Sequence, residues 1–164
     1  KLFWGGNMNT TKKTIWLGLL AALCAVPAVS FAGKCAGTNI NNTVSWEETE
    51  IAKGSKLATW RGTSVIVSDD TKAPYHLASG ECIGSFLTNP DGKTQSAGHC
   101  ARKDKDGDVL YEEWISTDAT GDKGTFKNVG GTGKYVNAAG TAQWEQLPPL
   151  QGKMSAVIWI GNCK

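Results

Sequence analysis

The pentapeptide Asn89-Pro90-Asp91-Gly92-Lys93 fixes a strand register, and with it a covalent frame. Proline at the second turn position presets φ, and glycine takes the positive φ that closes a type I turn with a bulge. The segment therefore predicts a hairpin with Asn89 opposite Lys93. Counting outward from that hydrogen-bonded pair sets Cys82 opposite Cys100, in a non-hydrogen-bonded pair where side chains approach most closely. Of the connectivities open to Cys35, Cys82, Cys100 and Cys163, this register selects Cys82–Cys100, and Cys35–Cys163 then ties the chain ends together. Loop-closure entropy assigns about 3 kcal/mol to the short loop and about 5 to the long one. Both are large against a total stability of about 5–15 kcal/mol.

Those cysteines imply an oxidising compartment, and the N-terminal region agrees. From Met8 the chain reads a positive stretch with Lys12 and Lys13, an apolar run from Ile15 to Val26, and small residues up to Ala32. This is the pattern of a secretory signal peptide over 8–32, too short and wrongly flanked for a membrane span. A lipid anchor is not expected, because Leu23 precedes Cys24 and Lys34 precedes Cys35 where a small residue is required. Residues 1–7, Lys-Leu-Phe-Trp-Gly-Gly-Asn, read as untranslated sequence upstream of a bacterial start. The exported product expected is residues 33–164, one barrel domain, secreted or periplasmic.

Removing the leader reverses the charge. The chain has 17 Lys and Arg against 15 Asp and Glu, and three of the lysines (Lys1, Lys12 and Lys13) lie in the leader, which has no acid; the remainder is net −1. No basic stripe remains for nucleic acid.

Short segments rich in β-branched and aromatic residues, bounded by Gly, Pro, Asn or Asp, predict strands at 63–68, 82–88, 94–103, 109–116, 124–130 and 155–163. Weaker strand signals cover 44–53, 58–62 and 140–146, and Thr132 to Gly140 has room for one helical turn. Closely spaced strands joined by hairpins predict an all-β fold, an antiparallel up-and-down barrel of about eight strands.

Asp104-Lys105-Asp106-Gly107-Asp108 repeats the turn grammar of 89–93. An EF-hand loop starting at Asp104 would need glycine where Val109 stands and glutamate where Ile115 stands, so that geometry fails. Weak surface calcium at Asp104, Asp106 and Asp108 is the residual metal reading, and no cofactor is expected. The second hairpin pairs His99 with Glu113 and Ala101 with Tyr111. One sheet face then carries His99, Tyr111 and Glu113, and the other carries Cys82, Phe86, Cys100, Arg102, Leu110, Glu112 and Trp114. Both faces are mixed, so the pattern leaves inside and outside open. With the first face inside, His99, Glu113 and Tyr111 form a candidate acid–base cluster. His76 reads as a loop residue. Val129 to Tyr135 lacks the first glycine and the Ser/Thr of a phosphate-binding loop, and no nucleophile elbow is present.

The segments Gly80–Phe86, Gly98–Asp108 and above all 124–144 (GTFKNVGGTGKYVNAAGTAQW) resemble small secreted bacterial β-barrel proteins related to the allene oxide cyclase-like and lipocalin-like (calycin) barrels. The resemblance covers about 80–164. It implies an eight-stranded barrel with an apolar cavity, and it carries over no catalytic residue.

Three functional readings follow. The first is a barrel binding a small apolar or amphipathic molecule, with Phe86, Trp114, Trp144 and Trp159 on the ligand. The second is a cyclase- or isomerase-like enzyme using His99, Glu113 and Tyr111, which requires those three to converge in a cavity. The third is a protein-binding or inhibitor module acting through the tips at 89–92 and 104–108, which lack an aromatic anchor.

Overall fold

In the computed structural model, residues 33–163 are described. The expected leader at 8–32 and the segment 1–7 lie outside them. Eight strands close into an antiparallel barrel in chain order, each paired with its sequence neighbour and the last with the first. They are β1 (Gly33–Ala52), β2 (Ser55–Ser68), β3 (Ser79–Thr88), β4 (Thr94–Lys103), β5 (Val109–Ser116), β6 (Lys123–Gly131), β7 (Ala139–Gln146) and β8 (Met154–Cys163). A single 3-10 turn, Gly133–Tyr135, interrupts the β6–β7 connection.

Both predicted registers hold. Asn89 N donates to Lys93 O at 2.8 Å and Gly92 has φ +80°, as the bulged turn requires. Cys82 is paired with Cys100, His99 with Glu113, and Ala101 with Tyr111. The two disulfides are Cys82–Cys100, with Cα atoms 4.1 Å apart, and Cys35–Cys163, with Cα atoms 5.9 Å apart. The second joins β1 to β8, so the seam where the sheet meets itself is closed by a covalent bond as well as by a ladder.

Two strand expectations are corrected. Segments 58–62 and 63–68 are one strand, because Gly62 is a place for the Trp60 indole to lie rather than a break. The chain from 33 to 43, which carried no strand signal, is the first half of β1. Its inward residues include Asn39, a polar side chain 2 % exposed that accepts a hydrogen bond from Trp159 Nε1 at 3.0 Å. A buried amide with a fixed partner is stable there but invisible to a hydrophobic pattern.

The two barrel ends differ. At one end the β2–β3 connection folds inward as a plug, burying Tyr75 and Ala78, with Tyr75 edge-on to Trp159 at 6.2 Å between ring centroids. At the other end β8 pairs with β1 only as far as Asn42. Beyond it the β1–β2 hairpin rises past the seam and leans Trp46 on Phe86 at 4.9 Å between ring centroids.

Candidate functional site

Paired glycines and aromatic rings build the wall that faces the lumen. Trp114 on β5 is paired with Gly98 on β4, which is paired in turn with Gly84 on β3. The indole lies across both, so closely that a Cβ on either glycine would overlap its Cζ2 atom. Trp144 lies on its partner Gly124 in the same way, and Trp159 on its partner Gly37. Glycine opposite an aromatic residue gives the ring a flat bed on the sheet. Rings lying against the wall leave the barrel axis open.

What they enclose is a cavity of about 210 Å³. Its apolar side is Trp46, Trp60, Phe86, Trp114, Phe126 and Trp144. Phe86 stands 5.8 Å from Trp114, Trp60 6.2 Å from Trp114 and Phe126 5.9 Å from Trp144, centroid to centroid, the tilted and edge contacts that aromatic quadrupoles favour. The lining runs from Asn39 and Arg102 in mid-barrel to Gly121 in the β5–β6 connection and Trp46, which is 49 % exposed at the rim. A void of about 30 Å³ continues toward the Tyr75 plug. An apolar cavity of about 150 Å³ holds benzene, so this one has the size for a single substituted ring.

The polar floor is a buried ion pair. Arg102 and Glu112 stand on β4 and β5, 1 % and 7 % exposed, with Nη1 of the guanidinium against Oε2 of the carboxylate. Arg102 also donates to Ser64 Oγ, from Nη2 at 3.2 Å and Nε at 3.4 Å. Burial pushes the guanidinium down from its usual range, and the facing carboxylate opposes that by favouring the charged form. Arg102 lines the large cavity and Glu112 the small void, so the pair separates them.

Two further polar groups on the cavity wall have no hydrogen-bond partner in the protein: Trp144 Nε1 and Ser96 Oγ. The other indoles whose N–H groups are engaged show the contrast. Trp60 donates to Thr43 Oγ1 at 3.0 Å, and Trp159 to Asn39.

The predicted residues divide cleanly. Phe86, Trp114 and Trp144 line the large cavity, and Trp159 lines the smaller void below it. His99, Glu113 and Tyr111 point the other way. They lie on the outer wall, Tyr111 42 % exposed, beside Ile83 and Ile115 at 56 % and 53 %. Their register neighbours Cys100, Glu112 and Trp114 take the inside instead. The acid–base reading required all three to converge in a cavity; His99 and Tyr111 line an open depression on the outer wall, and Glu113 is not part of it. Sequence reasoning missed Trp46, Trp60, Phe126 and Ser96 as lining, along with the Arg102–Glu112 pair. The available signal was Trp114 directly opposite Gly98 in the second counted register, with Gly84 opposite Gly98 in the first, which marks the inward face.

The three aspartates of 104–108 do gather a cation, and it is the chain's own lysine. Lys134 Nζ lies 2.7 Å from Asp104 Oδ2, 2.6 Å from Asp106 Oδ2 and 3.8 Å from Asp108 Oδ2. Asp104 also accepts from the amides of Asp106 and Asp108 and from the Tyr135 hydroxyl at 3.1 Å. Burial by itself would raise the Asp104 carboxyl, but bonds from Lys134, the Asp106 amide and Tyr135 hold it below the usual range. Hydrogen bonds that Lys134 donates to Asp104 and Asp106 raise it above its ordinary value. Calcium, the residual metal reading at Asp104, Asp106 and Asp108, would have to compete with the Lys134 ammonium for these carboxylates. No group of three or more His, Cys, Asp or Glu among the described residues is arranged to hold a metal ion. His76, expected as a loop residue, lies in the plug with Nδ1 3.1 Å from Ser68 O.

No family model and no curated protein matches this sequence. Solved structures match the barrel. A pterocarpan synthase dirigent protein aligns with a TM-score of 0.50 at 12% identity, over 82% of this chain and 87% of its own. A second pterocarpan synthase dirigent protein gives 0.48 at 11%, over 80% and 93%. A protein of unknown function from Clostridium acetobutylicum gives 0.47 at 16%, over 79% and 99%. The expected likeness to cyclase-like or lipocalin-like barrels is thereby replaced by a coarser statement: this chain shares an eight-stranded barrel with a dirigent protein, and at this identity the likeness is one of fold alone.

Proposed function

We propose that this chain is an exported, disulfide-braced barrel that binds one small apolar or amphipathic molecule in its lumen. The cavity of about 210 Å³, walled by aromatic rings and floored by polar groups, supports this reading. An eight-stranded barrel is just wide enough for side chains to fill it or for one small ligand to be held, and here glycines keep the rings off the axis. The size favours a single ring over a long acyl chain. Two disulfides suit an oxidising compartment, and no helix among the described residues is long and apolar enough to cross a membrane. The dirigent protein lends its architecture to this reading and none of its synthase chemistry.

The alternatives have less behind them. An enzyme built on His99, Glu113 and Tyr111 lacks an enclosed site, and an inhibitor acting through the tips at 89–92 and 104–108 would present Asp91 paired with Lys93 and three aspartates gathered on Lys134, with no aromatic anchor.

The test is native mass spectrometry of the disulfide-intact protein after export, together with calorimetric titration of single-ring aromatics up to millimolar concentration. A co-purifying mass of a small organic molecule, or saturable binding, is the expected result. A bare protein that binds none of them refutes the proposal.

A further inference from the structure

Resting on that binding reading, we propose that the lumen ligand is a neutral aryl carbonyl compound whose oxygen accepts a hydrogen bond from Trp144 Nε1, with Ser96 Oγ as a second donor on the same wall. Three observations define it.

The first is the pair of orphaned groups. Trp144 is 7 % exposed and Ser96 4 %, and neither Nε1 nor Oγ has a partner in the protein. An indole nitrogen can only donate, and a hydroxyl can turn to donate. A buried donor left unbonded is destabilising, so its retention on a cavity wall points to an acceptor supplied from outside.

The second is their placement. Ser96 N donates to Ser116 Oγ at 2.8 Å, Ser116 is paired with Gly124, and Gly124 is paired with Trp144. The edge of the indole lying on Gly124 is Cε2–Cζ2, the edge that carries Nε1. Both orphans thus belong to one arc of wall spanning β4 to β7, and both line the same cavity.

The third is charge. Arg102 is the one charged side chain in the cavity lining, and Glu112 neutralises it. An anion would have to draw Arg102 from its partner, and a cation meets no free carboxylate. A neutral acceptor matches the wall as it stands, and the aromatic part of the lining matches a planar aryl group, with the neutral side chains of Asn41, Gln146 and Ser155 completing it.

Three probes test this by calorimetry and melting shift on the disulfide-intact protein: acetophenone, its hydrocarbon isostere α-methylstyrene, and benzoate. Acetophenone should bind about tenfold more tightly than α-methylstyrene, the ratio expected of one to two hydrogen bonds to buried donors. Trp144→Phe, which keeps a ring, and Ser96→Ala should each lower the ratio of acetophenone affinity to α-methylstyrene affinity. Equal binding of acetophenone and α-methylstyrene by the unaltered protein overturns the acceptor inference and leaves the cavity reading standing. Benzoate binding tightest overturns neutrality. Failure of all three to bind overturns both this inference and the binding reading beneath it.

Discussion

Replacing Glu112 with glutamine barely alters side-chain size and removes one buried charge. Arg102 has a side chain 1% exposed, and its other hydrogen bonds go to a single hydroxyl, Ser64 Oγ. The guanidinium would stay ionised in the lumen wall with no anion against it. Removing one partner of a buried pair costs about 3–5 kcal/mol. The amide oxygen of glutamine preserves a weaker bond, so the lower end, about 3 kcal/mol, is expected. With a urea slope of about 1–3 kcal/mol/M, the midpoint should fall by about 1–3 M at unchanged slope. The assay is urea unfolding followed by tryptophan fluorescence and far-UV circular dichroism, disulfides intact. The double variant Arg102→Met, Glu112→Leu removes both charges and should lie within about 1 kcal/mol of the parent or above it. A single variant within 1 kcal/mol of the parent would refute the dependence of Arg102 on Glu112. A double variant as damaged as the single would show that the loss is one of packing and not of charge.

Three further outcomes follow from the geometry. Gly84→Ala places a methyl against Cζ2 and Cη2 of Trp114; overpacking of this kind costs about 1–3 kcal/mol, and the displaced indole should weaken lumen binding, whereas unaltered binding would contradict the flat-bed arrangement. The Cys35–Cys163 bridge spans 128 residues and Cys82–Cys100 spans 18. Replacing the first pair by serine should therefore lower stability by about 5 kcal/mol and the second by about 3, and the reverse order in denaturant midpoints would refute the seam-closing role. Lys134→Met should be most damaging in mid-range pH. The Asp104 carboxyl is lowered, so its contribution is present above the ordinary carboxylate pKa of about 3.9 and lost as pH falls through its native value; Lys134 is raised, so its contribution is complete below about 10.4 and lost as pH climbs past its native value. The melting difference between variant and parent should shrink toward pH 2, and a constant difference would argue against the ion cluster.

Strands β4 and β5 were legible in the sequence to the residue, because turns with glycine at positive φ bound them: Gly92 before β4 and Gly107 between the two. The disulfides followed from the first of those turns by counting. Which face is inside was not legible from hydrophobic alternation, only from the glycines facing Trp114. The inward face carries Arg102 and Glu112 beside Cys100, Leu110 and Trp114, and the outward face carries Ile83, Tyr111 and Ile115 beside His99 and Glu113, so both faces are mixed. The two inward charges are tolerable only because they are diagonal neighbours on one hairpin that meet each other, and their burial is a property of the closed barrel. The first half of β1 was hidden for a related reason: its inward Asn39 is held by an indole from the far end of the chain.

The tryptophans of this lumen are a lining laid over bare peptide. Under Trp114 are Gly98 and Gly84, under Trp144 is Gly124, and under Trp159 is Gly37. In most barrels, trimming an inward side chain enlarges the interior and leaves its character alone, since the neighbouring wall is also side chain. Here the loss of one ring would uncover backbone amides directly, turning a hydrocarbon-like patch into a peptide-like one. A single base change in one tryptophan codon can therefore alter the polarity of the lumen wall, and not merely the size of the space it encloses. Divergence within such a scaffold would proceed by jumps in wall polarity.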